Sequence, residues 1–85
     1  GSKVDMNFLA KLARKCNANE RIIESIKKAN TARHVSEIII DNNVKGFFEE
    51  ICNETYKHMR KHSEEKVLLD VILFDFNGQI LARKF

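Results

Sequence analysis

The sequence predicts an α+β domain: three or four short helices, then a C-terminal antiparallel β-hairpin whose sheet is completed by oligomerisation. Three observations carry that expectation. Apolar residues recur at helical spacing through most of the first sixty positions. The last twenty residues hold two apolar runs on either side of Asp75-Phe76-Asn77-Gly78. The first of those runs, Val67 to Phe74, is apolar on both faces, as in a strand covered on both sides.

The first helix is expected over Met6 to Lys15, where Phe8, Leu9, Leu12, Ala13 and Cys16 share a face. Lys11, Arg14 and Lys15 lie off that face, toward the end where cations suit the helix dipole. A second helix carries Ile22, Ile23, Ile26 and Ala29 as its stripe. Asn17 with Glu20 has the spacing of a capping box, and Asn19 is a competing cap. Continuing that stripe past Asn30 would bury Arg33 and Glu37, so the helix should break near Asn30-Thr31.

Residues 31–41 admit two readings. Val35, Ile38 and Ile39 have helical spacing behind Thr31 as a cap, and this reading is favoured. The β-branched run Ile38-Ile39-Ile40 also suits a short strand, which would give the hairpin a third partner. The strongest helical pattern follows: Val44, Phe47, Phe48, Ile51, Cys52, Thr55 and Met59, capped by Asn42 or Asn43. Its acids Glu49, Glu50 and Glu54 precede its bases Lys57, His58, Arg60, Lys61 and His62, which complements the macrodipole. Ser63-Glu64-Glu65 then reads as a polar connection into the hairpin.

Two turns suit the hairpin. A two-residue turn on Asn77-Gly78 leaves Asp75 opposite Ile80. A type I turn from Asp75 to Gly78 with a bulge pairs Phe74 with Ile80, Ile72 with Ala82 and Asp70 with Lys84. The second register matches like with like and is preferred. It puts Leu69, Val71, Leu73, Leu81 and Phe85 under the helices. The other face, Asp70, Ile72, Phe74, Ile80, Ala82 and Lys84, is left without an owner. Exposing its apolar groups would forfeit several kcal/mol, at roughly 1.5–3 kcal/mol for each large side chain. A protein interface is therefore expected there, most simply a homodimer using one patch twice. The expected function is non-catalytic: protein–protein interaction, by self-association or as an adaptor for another protein.

The order of an amphipathic helix followed by Lys66-Val-Leu-Leu-Asp-Val-Ile-Leu-Phe-Asp-Phe-Asn-Gly-Gln-Ile-Leu resembles the helix-to-hairpin segment of Tctex-type dynein light chains and of MADS boxes. The resemblance covers about the last forty residues and implies a dimer built on a sheet. The chain departs from both patterns, lacking a MADS box's basic N-terminal block and a light chain's later strands.

Chemistry has few carriers. His58 and His62 stand at i, i+4 with Glu54 one turn earlier, but flanking cations repel a metal, and a solvated helix end is the simpler reading. Cys52 and His58 fall on different faces of one helix, and no Gly-rich phosphate loop or Gly-x-Ser-x-Gly elbow occurs. No enzyme, metal or cofactor is expected. The net charge of +3 is uneven: residues 1–34 carry eight Lys/Arg against three Asp/Glu. Lys11, Arg14, Lys15, Lys27, Lys28 and Arg33 make nucleic-acid binding the rival function, through a helix-turn-helix with the hairpin as a wing.

Eighty-five residues make one small domain, expected over 6–85, with 1–5 read as tag or vector residues. No run is long enough to span a membrane. Cys16 and Cys52 fall on the apolar faces of predicted helices and read as reduced, buried thiols, which points to the cytoplasm or nucleus.

Overall fold

A computed structural model describes residues 6–60 and 63–84. Among these residues there are five helices and no strand: α1 (Asn7–Lys15), α2 (Glu20–Lys28), α3 (Ala32–Asp41), α4 (Phe47–Lys57) and α5 (Glu64–Lys84). The proposed tag residues 1–5, and His62 of the proposed histidine pair, lie outside the described residues.

Asparagines punctuate the chain, in roles the sequence reading partly misassigned. Asn17 takes positive φ, and Ala18 N–H and Asn17 N–H bond back to the Ala13 and Arg14 carbonyls. This is a Schellman closure, so Asn17 ends α1 instead of starting α2. The cap of α2 is the competitor Asn19, whose side chain accepts from Ile22 N–H at 3.0 Å. The same device recurs at Asn43, which ends α3, with Val44 N–H reaching the Ile39 carbonyl. Neither Asn42 nor Asn43 caps α4. That helix begins at Gly46, whose φ of 82° is left-handed and costs little only for glycine.

Residues 32–41 form a helix, with Thr31 accepting from His34 N–H at 3.1 Å. The strand alternative fails because the helix sends Val35, Ile38 and Ile39 to one side, where all three are buried. Ser36 is buried with them and satisfied by donating to the Ala32 carbonyl.

The principal correction concerns residues 64–84. They form one continuous helix, and the α+β class, the hairpin, its turn and its cross-strand pairs are all overturned. The helix has every ordinary signal. Ser63 accepts from Lys66 N–H, Glu64 and Glu65 occupy the first turn, and Arg83 and Lys84 the last. Lys66 pairs with Asp70 at 2.7 Å and Gln79 donates to Asp75 at 2.9 Å, both at i, i+4.

Packing decides the choice. Leu68, Leu69, Ile72 and Phe76 recur at i, i+1, i+4, i+8, and as a helix they all enter the core, with Leu73 and Ile80 packed against it. Each full burial is worth roughly 1.5–3 kcal/mol, whereas a lone two-stranded hairpin is marginal in water. The core is shared by all five helices, with α5 against α3 and α4 and α1 against α2. Arg83 of α5 also pairs with Asp41 at the end of α3.

The resemblance to light chains and MADS boxes falls with the hairpin, as does the winged helix-turn-helix. The unowned hairpin face does not exist. Asp70 bonds to Lys66 instead of Lys84, and ten residues of helix, about 15 Å, separate Ile72 from Ala82. Ile72 is 1% exposed and belongs to the core, and Ile80 is half-buried. Phe74 is 84% exposed, and Ala82 and Lys84 are exposed as well.

Candidate functional site

One groove with an ionic rim lies where α1 packs against α4. Phe8, Lys11, Leu12 and Lys15 are one to two turns apart on α1, so they line one wall in sequence order. Glu54 of α4 closes the other side, and the groove between them holds about 240 Å³. The floor is apolar from Phe8 and Leu12, while the rim is ionic.

Glu54 is the hub of the rim. Its side chain is largely buried; one oxygen stands 3.2 Å from Lys57 Nζ and the other 3.8 Å from His58 Nε2. The i, i+3 and i, i+4 spacing on α4 places all three heads together. Among the described residues, buried Thr55 Oγ1 and His58 Nδ1 have no hydrogen-bond partner. His58 thus faces the Glu54 carboxylate on one edge and is left unsatisfied on the other. Lys15 also reaches Glu50 at 3.9 Å, linking α1 to the first half of α4.

A second, broader groove of about 510 Å³ lies on the other side of α1, lined by Asn7, Ala10, Lys11, Arg14 and Lys27. Its cations are partly balanced: Arg14 pairs with Glu20 at 3.1 Å and Lys27 with Glu24 at 3.5 Å. Lys11 lines both grooves.

Of the cations singled out from sequence, the structure therefore gathers Lys11, Arg14, Lys15 and Lys27 around α1. It does not bring in Lys28, exposed at the end of α2, or Arg33, which pairs with Glu37 on α3. Phe8 and Leu12 keep the core-facing role the sequence predicts, Leu12 in the core and Phe8 packed against it, and they also line the groove, which was not foreseen. The available signal was the interleaving of Phe8/Leu12 with Lys11/Lys15 at i, i+4.

The thiols differ from expectation too. Cys16 is half-buried, but Cys52 is exposed, because α4 turns Phe47 and Ile51 inward. Burial, reinforced by the nearby Glu50 carboxylate, pushes the Cys16 thiol above its ordinary value. No group of three or more His, Cys, Asp or Glu among the described residues is placed to hold a metal ion. No helix among them is long and apolar enough to cross a membrane.

Fold and site together define a small helical domain with a cationic, partly apolar surface along one helix. Residues 1–85 match the family described as CbiD, C-terminal domain, over the whole chain, and the protein belongs to that family. It is similar to a protein named cobalt-precorrin-5B C(1)-methyltransferase in Leptospira interrogans, 32% identical over 83 residues. That match covers 98% of this chain and 23% of the relative. Relatives of the same name in Priestia megaterium and Rubrobacter xylanophilus are 31% and 30% identical over 80 and 76 residues. They are matched over 94% and 89% of this chain, and 22% and 20% of their own lengths. The chain thus spans less than a quarter of these curated relatives. No solved structure matches.

These likenesses correct the functional expectation. The relatives are named as enzymes, so a non-catalytic interaction adaptor and the exclusion of an enzyme are overturned.

Proposed function

We propose that this chain is the C-terminal domain of a longer polypeptide that transfers a methyl group to C1 of cobalt-precorrin-5B. The observation that carries the reading is the match to the family's C-terminal domain along all 85 residues. The nuclear compartment has no support in this reading, and a cytoplasmic setting is the one proposed.

Within that polypeptide the domain's contribution is binding and orientation at the α1–α4 groove. Lys11 and Lys15 offer ammonium donors above the Phe8/Leu12 floor, a combination suited to a ligand with an anionic group on an apolar body. Glu54 sets where such an anion can sit, since it occupies part of the rim and draws Lys57 to itself.

The test is methyl transfer by the full polypeptide carrying this domain, with cobalt-precorrin-5B and a labelled methyl donor, the product read by mass. Activity is expected, and its absence would overturn the reading. Lys11→Glu with Lys15→Glu should raise KM about tenfold, equivalent to 1.4 kcal/mol, and leave kcat within about twofold. An unchanged KM would remove the groove from the proposal.

A further inference from the structure

Helix α5 is apolar on two opposite sides. One side supplies Leu68, Leu69, Ile72 and Phe76 to the core. The other carries Val67, Val71, Phe74, Gly78 and Leu81 at i, i+4, i+7, i+11 and i+14, which fall within an 80° arc at about 100° per residue. All five are exposed, Phe74 at 84% and Leu81 at 56%. The stripe runs about 21 Å along the helix and contains no charged side chain. A helix apolar all round is ordinarily buried all round, and a monomer seldom leaves a continuous apolar strip in water.

We infer that this stripe of α5 docks onto an apolar surface of the remaining, preceding portion of the same methyltransferase polypeptide. The inference rests on the proposed reading of the chain as a domain of that longer protein. The relatives supply the occupant: roughly three quarters of each lies outside the region matched here. In those relatives a body several times the size of this domain is joined to it in one chain, and the α5 stripe is a long uncharged face able to receive it. Gly78 lies in the stripe between Phe74 and Leu81, and a Cβ built there would meet nothing within 4 Å in this chain. Its bareness therefore serves no packing inside the domain, and it leaves a flat place where a partner's backbone can approach closely. The ion pair between Lys66 and Asp70 runs along the side of the stripe and marks its polar edge.

The test uses the full polypeptide with a protease site introduced just before Met6. After cleavage, the domain and the preceding portion are expected to co-elute on size exclusion. Val71→Asp with Phe74→Asp should weaken that association at least tenfold, while the released domain keeps its helical circular dichroism, because both positions are exposed. Co-elution unaffected by the double variant would overturn the inference. So would a Phe74-dependent dimer of the 85-residue chain alone, which would assign the stripe to a second copy. Methyl transfer measured on the uncleaved protein reports separately on the functional reading, so either can fail without the other.

Discussion

Phe48 on α4 and Phe76 on α5 stack with ring centroids 5.2 Å apart and planes inclined at 27°. The contact joins a helix that was expected to one that was not. Phe76 would stand at the exposed middle of a hairpin turn, but here it is 9% exposed and packed on the core.

Phe76→Ala should therefore destabilise the domain by about 3–5 kcal/mol. That is a large share of the net stability expected for a domain of this size, roughly 4–13 kcal/mol. Phe76→Leu, which keeps more of the packing, should remain folded with a smaller loss. Phe74→Ala, in contrast, should change the stability of the isolated chain by no more than about 0.5 kcal/mol. Urea unfolding of the three variants measures the order, and equal effects at 74 and 76 would contradict the placement of α5.

Gly78→Ala distinguishes the helix from the turn by its sign. A glycine inside a helix costs about 0.5–1 kcal/mol relative to alanine, and the site is open. The substitution should raise the melting temperature of the 85-residue chain by a few degrees, whereas a glycine required by a hairpin would make it fall.

Asn19 and Thr31 each hold a backbone N–H at the start of a helix. Replacing either with alanine should cost about 1 kcal/mol. Asn17→Gly should be neutral or stabilising, because Asn17 occupies the left-handed position that glycine fills without strain. A loss at Asn17 equal to that at Asn19 would point back to the capping box.

The two thiols should react in order. Exposed Cys52 should be alkylated well before half-buried Cys16, whose raised pKa leaves it less thiolate near neutrality. The sign of the pH effect follows from the same shift. Folded Cys16 keeps its proton at a pH where the unfolded chain loses it. Its contribution is therefore complete below the ordinary value of 9.0 and declines as pH rises beyond it. Denaturant titrations between neutral and alkaline pH should show a shallower alkaline decline for Cys16→Ala than for the parent.

Legibility in the sequence varied with the kind of signal. Ile22/Ile23/Ile26 and Phe47/Ile51 show their helices plainly, because each has one apolar stripe and a polar remainder. Residues 67–81 defeat the same reasoning. When both sides of a helix are apolar, the 3.6-residue period is blurred, and a two-sided strand explains the composition equally well. Asn77-Gly78 then tips the balance, since that dipeptide is a strong hairpin signal. The counter-evidence was present: Ser63-Glu64-Glu65 before the run, Lys66 to Asp70 and Asp75 to Gln79 at i, i+4, and a large aromatic at Phe76 where a turn wants none.

The candidate groove was half legible. Lys11, Arg14 and Lys15 stand out by charge, but Glu54 is more than forty residues from Lys11 in sequence, and only the packing of α1 on α4 brings them to one rim.

What the chain dictates locally is therefore where its helices start and stop, through Asn19, Thr31, Ser63 and the left-handed Asn17 and Asn43. Its composition also makes the C-terminal segment apolar on two sides. The tertiary structure alone decided that this segment is a helix, because the space between α3 and α4 accepts one long apolar face and no sheet partner exists to complete a hairpin among the described residues. It also decided which apolar residues go inward. Ile72 and Phe76 are taken by the core and Phe74 is left outside, a partition set by about 100° of rotation per residue.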